Sequence, residues 1–261
     1  MHDPRLPLLT EIARQAGSAI MDVYYSDDFD AEMKADNSPL TRADTASHNI
    51  ITKGLHTHFP NMPLISEEGK DTDWDRRKDW QEFWLVDPLD GTKEFIRKEH
   101  DFTVNIALVE QNLPTIGIVY APARDWLYYG IVGDGAYKVA KEHADQLPLN
   151  VESCEQFIAV GSKSHAKPEE DTFLAQFSIK EKTSMGSSLK FCLVAEGAAD
   201  IYYRYGPTWE WDTAAAHAIV RAAGGSVISE GEELRYNKPP LKNRGFVCVR
   251  NAAILSGKKV P

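Results

Sequence analysis

The segment "WLVDPLDGTKEF" (residues 84–95) runs from apolar residues directly into two closely spaced aspartates. Its apolar part predicts a buried strand, which we expect to end at Pro88 because proline cannot donate to a strand ladder. Asp87 and Asp90 lie at this strand end, and Thr92 is a candidate N-cap for a helix over "KEFIRK". The segment thus predicts that two carboxylates and a helix start meet at one place.

Further acidic residues share this placement at the ends of predicted elements. Glu67 and Glu68 close the short apolar segment "PLIS", and Asp212 opens the helical pattern "DTAAAHAIV". Strand ends and helix starts can direct functional groups into one cleft. Converging carboxylates there need protons or cations to relieve their repulsion. Donor sets made only of oxygen suit Mg²⁺ or Mn²⁺.

The spacing of Asp87 and Asp90 around a Pro-Leu step suits a site with two ions. One carboxylate can bridge the ions, and the carbonyl of Leu89 can add a ligand. Two ions roughly 3.5–4 Å apart can clamp the attacking and leaving oxygens of a phosphoryl transfer. Each motif alone has a simpler interpretation: Asp-Pro-x-Asp-Gly is a common turn, paired glutamates often form a solvated surface, and Asp212 could be only an N-cap. Their order and shared placement favour a functional site.

The composition excludes several classes of protein. The 261 residues carry a formal net charge of −10, so a general nucleic-acid-binding surface is not expected. Three widely spaced cysteines argue against a disulfide framework and indicate a reducing, cytoplasmic location. The N-terminal sequence lacks the pattern of a signal peptide, and no apolar run is long enough to span a membrane. The sequence leaves open the oligomeric state and any contact with the inner membrane face.

Hydrophobic periodicity changes along the chain. Residues 8–25 and 46–59 predict helices, the second with Thr41 as its N-cap. Residues 102–140 predict an antiparallel meander. A polar, irregular stretch over 141–155 follows, and strands and helices then alternate. We therefore expect two differently organised halves that meet near this stretch.

Three motifs in combination carry a family resemblance. "EE" at 67–68, "DPLDGT" at 87–92 and "WDTAA" at 211–215 resemble the inositol monophosphatase superfamily, whose members are metal-dependent, lithium-sensitive phosphatases. The resemblance covers nearly the whole chain. The stretches "KADNSPLTRAD", "DGTKEF", "VGSKSH" and "GSSLKFCLVAEGAADIY" resemble, more narrowly, its 3′(2′),5′-bisphosphate nucleotidase branch.

This resemblance implies a fold of class α+β, a layered α-β-α-β-α sandwich of the inositol monophosphatase and fructose-1,6-bisphosphatase type. It combines a mixed, antiparallel-rich sheet with a smaller second sheet. We expect an N-terminal α+β subdomain over residues 1–150 that carries most metal ligands. A C-terminal α/β subdomain over 151–261 then carries Asp212 and the nucleotide contacts, with the site between the two.

The resemblance also implies roles for individual residues. It predicts two or three Mg²⁺ ions, with Mn²⁺ as a substitute, a pair that orients the attacking water, and a set that contacts the substrate. The predicted metal ligands are Glu67, Asp87, the Leu89 carbonyl, Asp90 and Asp212. The predicted water-orienting pair is Asp44 and Thr92. The predicted substrate contacts are Gly91, Thr92, His165, Gly186 and Lys190, and Lys163 and Arg204 are further candidate positive groups.

The implied reaction is hydrolysis of the 3′-phosphate of adenosine 3′,5′-bisphosphate, in sulfur assimilation, with the 5′-phosphosulfate analogue as a second substrate. Two alternatives remain open: an inositol or other sugar monophosphatase on the same fold, and a non-catalytic metal- or nucleotide-binding module. Inositol phosphatases more often have Thr and Asn where this chain has Lys93 and Glu94, which favours the nucleotidase. Tyr203 and Ala216 depart from the family pattern of proline and glycine, and neither is a predicted ligand.

Overall fold

The computed structural model describes residues 3–26, 32–33, 39–69, 72–141, 143–148, 155–164 and 166–260. The helices are α1 (Leu6–Tyr24), α2 (Arg42–His58), α3 (Trp74–Arg77), α4 (Thr92–Ile96), α5 (Pro168–Leu174), α6 (Leu189–Glu196) and α7 (Ala214–Ala222), and a 3-10 turn spans Ala252–Leu255. No helix in the described ranges is long and apolar enough to cross a membrane.

The strands form two main sheets. In the larger sheet they follow chain order: β3 (Leu64–Ser66), β4 (Glu82–Asp90), β5 (Thr103–Glu110), β6 (Leu113–Ala121), β7 (Trp126–Ile131), β8 (Gly135–Ala140) and β9 (His143–Leu147). The smaller sheet has the order β11 (Ile179–Met185), β10 (Phe157–Ser162), β12 (Ile201–Arg204), β17 (Phe246–Val249), β14 (Ser226–Ser229) and β15 (Glu232–Glu233). Two short ribbons pair β1 (Glu32–Met33) with β2 (Pro39–Leu40), and β13 (Thr208–Trp209) with β16 (Lys242–Asn243).

These elements stack in five layers. Helices α1 and α2 cover one face of the larger sheet, α6 and α7 lie between the sheets, and α5 packs on the outer face of the smaller sheet. The alternation of strand side chains explains the layering: Trp84 and Val86 enter the core with α1 and α2, whereas Phe83 and Leu85 face the core with α7. The predicted α-β-α-β-α sandwich is thus confirmed.

Helix α7 approaches the larger sheet very closely because the sheet has glycine below it. A Cβ added at Gly117 would lie 2.0 Å from the Ala215 carbonyl oxygen, and one added at Gly130 would lie 2.6 Å from the Cα of Ile219. Only glycine leaves room for this backbone contact. The close contact fixes the position of the residues just before α7, which include Asp212.

The end of β4 differs from the prediction. The strand does not stop at Pro88 but continues to Asp90, and its ladder with β5 shifts register between Asp87 and Asp90. Such an irregularity accommodates proline because no ladder donor is needed there. Gly91, at φ +92°, is the N-cap of α4, and Thr92 is the first helical residue, so the predicted N-cap at Thr92 was one residue late.

The predicted helices and meander are confirmed, with adjusted bounds. Thr41 caps α2 as expected, in a capping box with Asp44. The turn between β5 and β6 contains only Gln111 and Asn112, both with positive φ. The stretch 141–155 is not wholly irregular, since β9 lies within it and pairs with β8; residues 142 and 149–154 are outside the described residues. Strands β11 and β17 were not predicted.

Candidate active site

A cleft of about 450 Å³ opens where the end of β4 meets the turn after β11. Most of the predicted site residues line it: Glu67, Asp87, Leu89, Asp90, Gly91, Thr92, Gly186, Lys190 and Asp212. Asp44 lies beside Thr92. His165, a predicted substrate contact, is outside the described residues. Residues far apart in the sequence are therefore brought together as expected.

The irregular end of β4 orients its two aspartates. The Leu89 backbone N–H donates to Asp87 Oδ1 at 3.0 Å, which holds that carboxylate back towards the chain. The Leu89 side chain is buried and anchors the segment, while the Leu89 carbonyl accepts a hydrogen bond from Thr92 Oγ1 at 3.3 Å. A carbonyl oxygen has two lone pairs, so this bond leaves one available for a cation.

Glu67 and Asp212 reach the same cleft from other elements. Strand β3 runs parallel to β4, and the Glu67 backbone N–H donates to the Val86 carbonyl at 3.1 Å, which places Glu67 next to the β4 strand end. The Asp212 carboxylate accepts from the backbone N–H of Trp209 at 2.9 Å. The N-cap of α7 is Thr213, so Asp212 precedes the cap and is not the cap itself.

The environment of the cleft disfavours the charged forms of Asp87, Asp90 and Asp212. Burial, followed by the nearby Glu67, Asp90 and Asp212, raises the pKa of Asp87 well above its ordinary value. Burial, followed by Asp90 and Glu67, does the same for the pKa of Asp212. Burial also raises the pKa of Asp90 to about 6, even though the positive charge of Lys190 acts in the opposite direction. The cluster is therefore costly in its fully ionised form without compensating positive charge.

This donor set fits hard divalent cations. It consists of carboxylate oxygens and one backbone carbonyl, the ligands that Mg²⁺ takes, and a cation would relieve the repulsion that raises the pKa values. Among the described residues, no three His, Cys, Asp or Glu side chains are already arranged so that they could hold an ion. Mg²⁺ retains water molecules in its coordination shell, so it does not need a cage made entirely of side chains.

The predicted water-orienting pair is in contact. Thr92 Oγ1 lies 3.4 Å from Asp44 Oδ1. The other oxygen of Asp44, Oδ2, accepts from the Thr41 backbone N–H at 2.8 Å and from Thr41 Oγ1 at 2.6 Å. The helix capping box therefore fixes the Asp44 carboxylate, which is itself only 2% exposed, and leaves Oδ1 to face Thr92.

Another part of the cleft lining is formed by the turn before α6, which contains Gly186 and Ser187, and by Lys190 in the first turn of α6. Hydroxyl contacts seat this turn on β5: Thr103 Oγ1 lies 2.7 Å from Ser187 Oγ and 2.9 Å from Ser188 Oγ. The ammonium of Lys190 is buried, donates to the Ser187 carbonyl and lies 5.5 Å from the centre of the Tyr202 ring. Burial lowers the pKa of Lys190, while the negative charge of Asp90 opposes that change.

The structure distinguishes the other candidate positive groups. The Lys163 ammonium forms an ion pair with the buried Asp101, so the structure gives it a role between protein segments. Arg204 does line the cleft. Trp209 and Lys242, which sequence reasoning missed, line it too, as cross-strand partners in the β13–β16 ribbon. The ammonium of Lys242 lies 4.3 Å from the centre of the Trp209 ring. Nothing in their sequence spacing indicated this pairing.

Comparison with known proteins places the fold and site in one class. The family model described as "Inositol monophosphatase family" matches residues 1–256. The chain belongs to the inositol monophosphatase family.

Individual members of the family show which of them this chain is similar to. The chain is 46% identical over 244 residues to the 3′(2′),5′-bisphosphate nucleotidase CysQ of Escherichia coli strain K12. The alignment covers 92% of this chain and 98% of that protein. The crystal structure of CysQ from Bacteroides thetaiotaomicron superposes with a TM-score of 0.83 at 42% identity, over 93% of this chain and 96% of that one. The IMPase of Thermotoga maritima, at 22% identity and a TM-score of 0.79 over 97% and 94% of the two chains, shares the fold.

Proposed function

We propose that this chain is a Mg²⁺-dependent 3′(2′),5′-bisphosphate nucleotidase that converts adenosine 3′,5′-bisphosphate to AMP and phosphate. The observation that carries the proposal is the composition of the cleft, which is lined by five carboxylates, Glu94 included, together with Lys190 and Arg204. Such a site suits a substrate with one phosphate to be hydrolysed beside cations and another to be bound by basic side chains. The 46% identity to a bisphosphate nucleotidase supports it.

The residues that would hold Mg²⁺ are Glu67, Asp87, the Leu89 carbonyl, Asp90 and Asp212. When bound, the ions neutralise charge on the transferring phosphoryl group and lower the pKa of a water molecule. The charge balance of the cleft supports this assignment because each pKa that is raised by neighbouring carboxylates marks a place where positive charge is favoured.

The chain's own contribution to attack is the orientation of water. The Thr92 hydroxyl has one proton and two acceptors within reach, the Leu89 carbonyl at 3.3 Å and Asp44 Oδ1 at 3.4 Å. The proposal gives that proton to Asp44 Oδ1, because it assigns the Leu89 carbonyl to a cation, and the Thr92 oxygen is then left as an acceptor. It can then accept a hydrogen bond from the attacking water and aim that water's oxygen lone pair at phosphorus. Asp44 is in turn held by Thr41, so the direction of the Thr92 hydroxyl is fixed before the substrate arrives.

Two groups of residues then bind the substrate. The proposal gives Gly91 and Thr92, at the start of α4, to the transferred phosphate, because unpaired backbone N–H groups at a helix start favour an anion. It gives Gly186, Lys190 and Arg204 to the remainder of the nucleotide, since they line the same cleft. His165 stays a predicted contact. The proposal keeps the two subdomains, residues 1–150 and 151–261. The first supplies the contacts to the transferred phosphate, and the second supplies the contacts to the rest of the nucleotide.

Substrate preference tests the proposal. Purified protein with Mg²⁺ is assayed for phosphate release from adenosine 3′,5′-bisphosphate and, in parallel, from inositol 1-phosphate. We expect a kcat/KM for the bisphosphate at least about a hundredfold higher, since a site built for a charged group rejects a substrate that lacks it. A preference for inositol phosphate would identify a sugar monophosphatase instead. Nucleotide binding without any phosphate release would identify a binding module.

Location and metabolic role are part of the proposal. Cys192 and Cys248 are buried free thiols, which agrees with a reducing cytoplasm. A cytoplasmic enzyme of this specificity would remove the bisphosphate by-product of sulfate assimilation, and the phosphosulfate analogue is a second substrate to assay. Inhibition by Li⁺ and replacement of Mg²⁺ by Mn²⁺ can be measured in the same experiment.

A further inference from the structure

We infer that Glu94 is a positioning residue that makes this site selective for a nucleotide carrying a second phosphate. The inference rests on the proposed function and concerns the same cleft. Glu94 belongs to the Lys93-Glu94 pair, which directly follows the Asp-Gly-Thr step at residues 90–92. It is not a predicted metal ligand or a predicted substrate contact.

Glu94 is an acidic side chain placed in the interior. It is only 6% exposed, although it is the third residue of a short helix at the rim of the cleft. A buried carboxylate is costly unless it is hydrogen-bonded or paired. Glu94 Oε1 accepts a hydrogen bond from Ser164 Oγ at 2.5 Å, and Ser164 lies 70 residues further along the chain, just after β10. The side chain therefore links α4 to a loop from the smaller sheet.

Glu94 also contacts a second loop from that sheet. A Cβ added at Gly186 would lie 3.2 Å from Glu94 Cγ and 2.7 Å from Asp101 Cβ, so the Gly186 backbone rests directly on these two side chains. Gly186 follows β11, and β10 and β11 are parallel neighbours. Their carboxyl ends thus emerge at one edge, and Glu94 is where both outgoing loops meet the N-terminal half.

The second loop leads into α6, whose second residue is Lys190. This side chain is only 7% exposed, and burying an ammonium without nearby negative charge is unfavourable. Asp90 first, and then Glu94, favour the charged form of Lys190 and so raise its pKa against the effect of burial. A cation bound between the carboxylates would reduce the attraction that Asp90 exerts. Glu94 is not a predicted ligand, and its charge acts on Lys190 and on Asp90 alike.

The two functions of Glu94 point to one consequence. It fixes the loops that close the basic side of the cleft, and it supports the positive charge of Lys190 there. Both effects act on binding of a dianionic phosphate that is not the one hydrolysed. Both Lys93 and Glu94 line the cleft, but Lys93 is exposed whereas Glu94 is buried. The Lys93-Glu94 pair therefore combines a rim cation with a buried support for an interior cation.

The test compares Glu94→Gln and Ser164→Ala with wild type on two substrates, adenosine 3′,5′-bisphosphate and adenosine 3′-monophosphate. Glu94→Gln keeps the shape and removes the charge, and Ser164→Ala removes only the hydroxyl. We expect Glu94→Gln to raise KM for the bisphosphate about tenfold, the usual scale for loss of one charged interaction, with kcat within about threefold. KM for the monophosphate should change less than about twofold. Ser164→Ala should change the KM ratio, that is, the KM for the bisphosphate divided by the KM for the monophosphate, in the same direction. In the double variant, the rise in KM for the bisphosphate should be smaller than the product of the two single rises.

Glu99→Gln is the matched control. The Glu99 carboxylate is half-exposed and lies 3.7 Å from the Lys163 ammonium, so it has the same charge in the same neighbourhood without contact to Ser164 or Gly186 in the described structure. Its KM ratio should equal that of wild type.

Equal changes of KM for both substrates in Glu94→Gln, or an unchanged KM ratio in both Glu94→Gln and Ser164→Ala, overturn the inference while the proposed function stands. A wild-type enzyme that does not hydrolyse the bisphosphate overturns the proposed function, and the inference with it. Thermal unfolding of each variant separates these outcomes from misfolding, because a purely structural role would lower the melting temperature and kcat without changing the KM ratio.

Discussion

The acidic side of the cleft comes mainly from the stretch at the end of β4, whereas the basic residues come from separate elements, α6, β12 and β16, of the C-terminal half. Asp87 and Asp90 are oriented by hydrogen bonds and a register shift within their own strand. The turn that leads to Lys190 is held by Thr103 and Asp101 of the other half. The acidic side should therefore tolerate changes elsewhere in the fold, while the basic side should depend on contacts between the sheets.

The largest effect should come from the acidic side. Asp90→Asn should reduce turnover by about a thousandfold or more, because charge stabilisation around the transferring phosphoryl group is the main source of catalysis in this class of reaction. The fold should be retained, since the substitution removes charge repulsion. Phosphate release at saturating Mg²⁺ measures the effect, with Asp79→Asn, an exposed aspartate, as control. Near-normal turnover at saturating Mg²⁺ would falsify the assignment of Asp90 as a ligand.

The next largest effect should come from Thr92, which is proposed to orient the attacking water and does not stabilise charge. Thr92→Ala should lower kcat by about a hundredfold, within the range for a residue that positions a proton transfer. KM should change little. Thr92→Ser keeps the hydroxyl that contacts Asp44 and should retain most of the activity. If serine and alanine are equally impaired, the hydroxyl is not the functional group, and the acidic side of the cleft is less self-contained than we infer.

Gly186→Ala tests the dependence of the basic side on contacts between the halves. The new Cβ would meet the Asp101 side chain and carbonyl at 2.7 Å. Overpacking of this kind costs about 1–3 kcal/mol, and displacement of the turn should raise KM for the bisphosphate more than it lowers kcat. Gly161→Ala is the matched control, because its Cβ would meet nothing closer than 4.0 Å. Similar KM values in the two variants would contradict a rigid seat for the turn.

The smallest effect is a dependence of metal-free stability on pH. Burial, against the attraction of Lys190, raises the pKa of Asp90 from 3.8 to about 6 in the folded protein. A carboxyl group with a raised folded pKa contributes its stability at low pH and loses it as pH rises through the folded value. The free energy of unfolding in EDTA should therefore fall between about pH 4 and pH 6.

Mg²⁺ should reverse this trend, since it favours the ionised carboxylates. Melting temperatures measured with and without Mg²⁺ from pH 5 to pH 8 should diverge as pH rises. The divergence should shrink in Asp90→Asn. A difference between the two melting curves that stays constant over this range would show that the carboxylates are not coupled to the metal.

Much of the acidic side could be predicted because its geometry is local. A strand followed by Asp-Pro-Leu-Asp-Gly places its carboxylates at a strand end whatever else packs around it. Even here the prediction was wrong in detail: β4 continues past Pro88 and the N-cap is Gly91. Proline and glycine signal an interruption, but whether the interruption is a strand end or a register shift depends on the partner strand β5.

The basic side could be predicted only in part. The sequence indicated Lys190 but equally indicated Lys163, whose ammonium instead pairs with Asp101. Trp209 and Lys242 were not foreseen, because they meet through a two-residue ribbon with no sequence signal of its own. A lysine has the same local pattern whether it faces a substrate or an aspartate, so its partner is decided by packing.

The sequence by itself indicated the family through its motifs and, through that resemblance, the layered fold. It also predicted an oxygen-rich donor set, because acidic residues at element ends are a local property of the chain. Only the tertiary structure decided what Glu94 does. Its burial and its contacts with Ser164 and Gly186 arise where two parallel strands of the smaller sheet end against α4. The physical reason is that a carboxylate buried between loops from distant segments acquires its function from the groups that compensate its charge, and those groups are chosen by packing between the sheets.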